Sequence, residues 1–268
     1  MSPHRLLALI EKELRDVRAG PALAHPTIIA LLLLAIPFFI VIVAPLMTGQ
    51  PLGDGDVDAS LPEIREMWPS LAGLSPHATI QAFIFEQFLL LLVVAPIMSA
   101  TSVAALSIIG EKQEKSLEPL LATPVTTGEL LCAKLAASAL PAFAVELGAV
   151  TLYLILIALT AEPGVALALV NRRTAVIVFV LGPLVTLVAL QLCLLTSTRA
   201  RDPRSAHQWS ALIVLPVTGI FIAQVSGLAW LSVPEMLLAG LVLLLIWTAL
   251  LVLTIRLFDR EMILTRWR

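Results

Sequence analysis

Six apolar runs alternate with short polar segments along the chain, at about residues 27–47, 82–109, 135–160, 174–198, 209–231 and 236–255. A helix rises about 1.5 Å per residue, so roughly 20 residues cross a hydrocarbon core about 30 Å thick. The pattern therefore predicts an all-α polytopic membrane protein with six transmembrane helices. Several runs carry proline: Pro37 and Pro45 in the first, Pro96 in the second and Pro216 in the fifth. The fourth is predicted to break or bend at Gly182-Pro183. Such breakers are tolerated inside a bundle, where neighbouring helices satisfy the freed backbone groups.

The polar segments have patterns of their own. Residues 5–18 place Leu6, Leu9, Ile10, Leu14 and Val17 at helical spacing, with charges on the other face. Glu11 can pair with Arg15, and Lys12 with Asp16, one turn apart. Residues 1–26 are thus expected to form an N-terminal amphipathic interface helix. Their length and mixed charge argue against a cleaved signal peptide. Thr48–Gln81 is expected to be a polar, acidic loop, and Glu162–Arg173 a short one. The spacing Asp54-x-Asp56-x-Asp58 invites a calcium reading. An EF-hand needs glycine sixth and glutamate twelfth, where this chain has Ala59 and Arg65, so a solvated loop is the better expectation. The resulting division is 1–26, a six-helix membrane domain at 27–257 that includes the charged segment 110–134, and a basic tail at 258–268.

Composition reinforces the membrane reading. Only 13% of residues are charged and 59% are hydrophobic, against about 25% charged in soluble domains. Mean hydropathy is +0.98. Segments 1–26, 110–134, 199–208 and 256–268 hold 14 of the 17 lysines and arginines. By the positive-inside rule, both termini and the 110–134 segment face the cytoplasm of a cell (plasma) membrane protein. Cys132 and Cys193 cannot make a disulfide framework and are expected to be reduced packing residues. The short basic segments are explained by topology, with no call for nucleic acid.

The chain offers little chemistry. It has no G-x-x-x-x-G-K-[ST] loop for nucleotide phosphates and no H-E-x-x-H. Its four histidines, His4, His25, His77 and His207, fall outside the predicted spans, leaving no intramembrane imidazole for a Ser-His pair or a metal. No catalytic, cofactor-binding or metal residues are therefore expected. Glu146 lies mid-way along the third span, where a charge costs at least about 2.5 kcal/mol and marks a candidate translocation pathway. A protonated glutamate bonded to a neighbouring helix is the rival reading. Gln191 is a second pathway candidate, though Gln191, Gln224, Thr186 and Ser99 also suit interhelical hydrogen bonds. Glu86 sits a turn from the predicted outer interface and is expected to snorkel.

The segment between the second and third spans is the most specific. It reads GEKQEKSLEPLLATPVTTGELLCAK over Gly110–Lys134, and Thr126-x-x-Glu129 forms a capping box that starts the next helix. The run Gly110-Glu111 through Glu114, Leu117-Glu118-Pro-Leu120-Leu121, Pro124-Val125, then Glu129 and Lys134, resembles the first cytoplasmic loop of ATP-binding-cassette type-2 permeases. It departs from that pattern at Lys115-Ser116, where many members have a glycine before a small residue. The amphipathic N-terminus, six spans and the closing Arg256-Leu-Phe258-Asp259-Arg260-Glu261 are also similar to the family.

The resemblance implies a short coupling helix that docks on a separate cytoplasmic ATPase subunit. Leu117, Leu120 and Leu121 would fill its groove, and Glu111, Glu114 and Glu118 would fix orientation. Pro124 would end the lever. ATP and Mg would sit on the partner, a second permease copy would complete the pathway, and this chain would be an exporter with no enzymatic activity of its own. A six-span channel or ion-coupled carrier is the alternative reading. Such a carrier usually has more intramembrane charge and paired repeats. Nothing in the sequence argues positively for a non-transporting scaffold.

Overall fold

The computed structural model describes residues 7, 9–12, 14–15, 24–48, 56–71, 73–113, 127–197, 212, 214–226 and 230–257. These residues are helical wherever they are regular, and no strand occurs among them. The expected coupling residues Glu114, Leu117, Glu118, Leu120, Leu121 and Pro124 lie outside the described residues, as does the 258–268 tail. Glu111 belongs to a described helix by its backbone.

Helix α1 runs Ala24–Phe38 and continues through a π turn, Phe39–Val43, into Ala44–Thr48. A helix Asp56–Met67 follows (α2), then Pro76–Leu92 (α3) and Val94–Gln113 (α4). The long helix Thr127–Thr160 is α5, and the short Val165–Leu169 is α6. Arg172–Val176 (α7) passes through a second π turn, Ile177–Leu181, into Gly182–Ser197 (α8). Val214–Val225 (α9) and Val233–Leu257 (α10) complete the described chain.

Five helical stretches among the described residues are long and apolar enough to cross a membrane: Thr27–Thr48, Pro76–Ala105, Cys132–Thr160, Arg172–Thr196 and Val233–Ile255. The chain is therefore a multi-pass membrane protein. The expected fifth span at 209–231 is represented by α9, whose 12 residues are too few to cross on their own. Pro216 falls in its first turn, where a missing N–H costs nothing.

Two expected loops prove structured. Within Thr48–Gln81, α2 packs on α3 and buries Leu61 and Ile64, so about a third of the supposed acidic loop is an amphipathic helix. The second span starts early, at Pro76, because Ser75 caps it by accepting from the Ala78 N–H at 3.1 Å. His77 therefore lies in the first turn of a spanning helix rather than outside the spans. The stretch Glu162–Arg173 likewise contains α6, entered through Gly164 at φ 94°, a conformation that favours glycine.

Both π turns have the same cause. The Ala44 N–H donates to Phe39 O and the Gly182 N–H to Ile177 O, each five residues back, and each stands just before a proline. Proline has no N–H to give and its ring crowds the preceding turn. A widened turn absorbs that crowding without breaking the helix. The expected break at Gly182-Pro183 is thus a bulge in an otherwise continuous span.

The core joins α1, α3 and α5 through three rings. Phe38, Phe85 and Tyr153 lie with centroids 5.2 to 5.8 Å apart, and the Tyr153 hydroxyl donates to Phe85 O at 2.8 Å. Nearer the 110–134 end, α4 packs on α5 and α8 through small residues, among them Ala100, Ala104, Ala139 and Ala142. Small side chains let helix backbones approach where no hydrophobic driving force acts between helices. The outward faces of α1, α5 and α10 are left apolar and exposed, as lipid contact requires.

Neither cysteine forms a disulfide. Cys193 is buried with its Sγ 3.4 Å from Thr101 O, and Cys132 is half-buried. The described N-terminal residues are helical, and Arg15 Nη2 donates to Glu11 Oε1 at 2.6 Å, the pair expected from spacing. Asp16, the expected partner of Lys12, lies outside the described residues. No group of acidic, His or Cys residues among those described is arranged to hold a metal ion.

Candidate functional site

Glu146 is carried by α5 and is only 4% exposed. Its carboxylate rests in the notch made by the second π turn. A Cβ built on Gly182 would lie 2.8 Å from Glu146 Cδ, nearer still to Oε1, and 3.2 Å from Ile177 O. Glycine at 182 is therefore what lets the carboxylate approach the α7–α8 backbone. Glu146 Oε1 has no hydrogen-bond partner among the described residues. A buried polar atom without a partner, inside a membrane bundle, is a costly feature that usually has a function.

Gln191 does not join this site. Its Nε2 donates to Thr254 Oγ1 at 2.5 Å, tying α8 to α10. It lies nine residues past Gly182, so roughly 13 Å further along the helix. Thr254 in turn donates to Leu250 O, which keeps its oxygen available to Gln191. The helix-joining reading fits Gln191, and only its Oε1 is left over. Ser99 and Thr186 are fully buried, and their hydroxyls likewise find no partner among the described residues. These groups leave the interior of α4, α5 and α8 dotted with uncommitted polar atoms.

The residues that sequence reasoning missed lie at the end of the bundle opposite 110–134. Glu86 does not snorkel. It is 2% exposed, and its Oε1 lies 3.1 Å from Arg173 Nε. Arg173, expected in a loop, is itself buried in the first turn of α7. Its guanidinium also covers the Trp230 ring, 3.7 Å from the centroid, while Phe83 stacks on Trp230 at 5.8 Å. A carboxylate, a cation and two rings thus join α3, α7 and the segment before α10.

Further contacts close this end. Ser75 Oγ donates to Glu162 Oε2 at 2.5 Å, Gln81 Oε1 accepts from the Glu162 N–H at 2.9 Å, and Arg65 Nη2 donates to Leu74 O at 3.1 Å. The sequence signal was available in part. Arg65, Arg172 and Arg173 are the basic residues left outside the segments assigned to the cytoplasm. At the opposite end, Glu129 and Lys134 of the loop motif are both buried at the start of α5. The helix begins at Thr127, next to the expected cap Thr126, which lies outside the described residues.

A family model described as ABC-2 family transporter protein matches residues 7–236, most of the chain. The chain belongs to the ABC-2 transporter family. No curated protein and no solved structure matches it significantly. The ABC-2 match spans the candidate membrane helices from Thr27 to Thr196, the 110–134 segment and the Glu86–Arg173–Trp230 cluster. It identifies the protein as an integral membrane permease and accounts for the missing nucleotide-binding loop, since ABC-2 chains are membrane subunits.

Proposed function

We propose that this chain is the membrane subunit of an ABC exporter, coupled to a separate ATPase through residues 110–134. The observation that carries the reading is the family match over residues 7–236. The segment between α4 and α5 supports it, with apolar Leu117, Leu120 and Leu121 beside Glu111, Glu114 and Glu118. A lever must be fastened to what it moves. α4 and α5, which flank the segment, pack on each other and on α8, so a push at their ends reaches the bundle interior.

In this reading both termini and 110–134 are cytoplasmic, residues 1–26 lie in the interface, and the Glu86–Arg173 end faces outward. ATP and Mg bind the partner, and a second permease copy completes the pathway. Glu146 would line that pathway, its uncommitted Oε1 supporting the assignment. The test is reconstitution of the purified chain in vesicles with and without its ATPase. Transport that requires both the ATPase and ATP agrees with the proposal. Transport that persists with no ATPase would instead establish an ion-coupled carrier or a channel.

A further inference from the structure

A cleft of about 360 Å³ opens beside the Glu86–Arg173 pair, between the end of α2, the start of α7 and the segment leading into α10. That is large enough for a polar headgroup and several methylene groups. Its walls divide cleanly by chemistry. Met67, Trp68, Trp230 and Val233 supply an apolar lining, while Arg172 and Arg173 supply charge.

The polar groups of the walls are unequally committed. Asn171 spends its Oδ1 on the Thr174 N–H at 2.9 Å and its Nδ2 on Ala168 O at 3.0 Å. The Ser232 N–H donates to Glu235 Oε2 at 2.7 Å. Arg173 faces Glu86, so its charge is balanced within the wall. Arg172 is exposed and has no ion-pair partner among the described residues. Among the described residues no carboxylate lines the cleft; Glu86 is paired with Arg173 of its wall, and Glu235 is engaged with Ser232. One uncompensated guanidinium in an acceptor-poor, tryptophan-lined cleft calls for an anion attached to an apolar body. A guanidinium grips oxyanions with paired donors. Tryptophan rings belong at the level where headgroups meet acyl chains, and Trp230 is held rigid between Phe83 and Arg173.

We propose that this cleft binds an anionic amphiphile, its oxyanion on Arg172 and its apolar part against Trp68 and Trp230. The inference rests on the membrane location of the chain and is independent of how the chain is energised. Two sources share this chemistry, an anionic membrane lipid and a soluble amphiphilic anion.

The test uses the full chain. In nanodiscs, tryptophan quenching by brominated phosphatidylglycerol is compared with quenching by brominated phosphatidylcholine. In detergent, dodecyl phosphate and inorganic phosphate are titrated separately. Loss of a charge-assisted contact costs about tenfold in affinity, so Arg172→Gln is expected to reduce a preference for the anionic probe about tenfold. Arg172→Lys should keep part of it. An Arg172-dependent preference for phosphatidylglycerol identifies a lipid site, and an Arg172-dependent response to dodecyl phosphate alone identifies a soluble ligand. The proposal is overturned if neither probe is preferred, if the preference survives Arg172→Gln, or if inorganic phosphate binds as tightly as dodecyl phosphate. Arg172 is exposed, so an unchanged melting temperature is expected to separate lost binding from lost folding.

Discussion

The carboxylate of Glu146 occupies the space that a side chain at position 182 would need, with Glu146 Cδ 2.8 Å from where a Cβ on Gly182 would stand. This juxtaposition ties the buried acid of α5 to the π turn before Pro183. Gly182→Ala must push the carboxylate, or Ile177 O, out of place. Overpacking of this kind costs about 1–3 kcal/mol. Thermal unfolding in detergent should show that loss, and the double variant Gly182→Ala/Glu146→Ala should recover most of it. Additive losses would mean that the two positions do not interact.

Glu86 and Arg173 form a buried pair, and breaking it should be far worse than replacing it. Arg173→Ala strands a carboxylate and is expected to destabilise the chain by about 3–5 kcal/mol. Glu86→Leu combined with Arg173→Met removes both charges and should restore near-native stability. Urea or thermal unfolding of the three proteins decides this. A double variant as weak as Arg173→Ala would show that the pair is more than a mutual neutraliser.

Tyr153, the chain's one tyrosine, joins α5 to α3 through its hydroxyl. Tyr153→Phe keeps the ring contacts with Phe38 and Phe85 and removes the bond to Phe85 O. A loss of about 0.5–1.5 kcal/mol is expected. Tyr153→Ala removes the rings' partner too and should cost about 3–5 kcal/mol.

Much of this architecture was legible in the sequence, and the failures have physical causes. Length and apolarity alone fix the spans at Thr27–Thr48, Cys132–Thr160, Arg172–Thr196 and Val233–Ile255 to within a few residues. Hydropathy starts the second span too late, because His77 and Gln81 are polar. Gln81 serves as an acceptor for the Glu162 N–H, a use that only tertiary structure displays. In sequence Glu86 looks able to snorkel, because its partner Arg173 falls in an apparent loop. No periodicity links residues on different spans. Glu146 was recognised as unusual from its position alone, but its seat on Gly182 depends on a π turn that hydropathy does not encode. The coupling motif is legible only as sequence, since Glu114–Pro124 falls outside the described residues.

The orientation proposed from the charge distribution is directly measurable. With Cys132 and Cys193 replaced by alanine, a cysteine at Ser116 should react with an impermeant maleimide only from the cytoplasmic side. A cysteine at Asp58 should react only from outside, as the basic-residue asymmetry requires. Labelling of both from one side would refute the topology.

The central claim is that residues 110–134 grip an ATPase. The direct measurement is co-purification of the ATPase subunit with Leu120→Asp and Glu118→Lys variants, compared with the unaltered chain. Placing a charge in a buried apolar contact at the centre of an interface costs about 2 kcal/mol or more, a loss of some 30-fold in affinity. The account predicts that both variants insert normally and lose the partner. Full retention of the ATPase by either variant would contradict it.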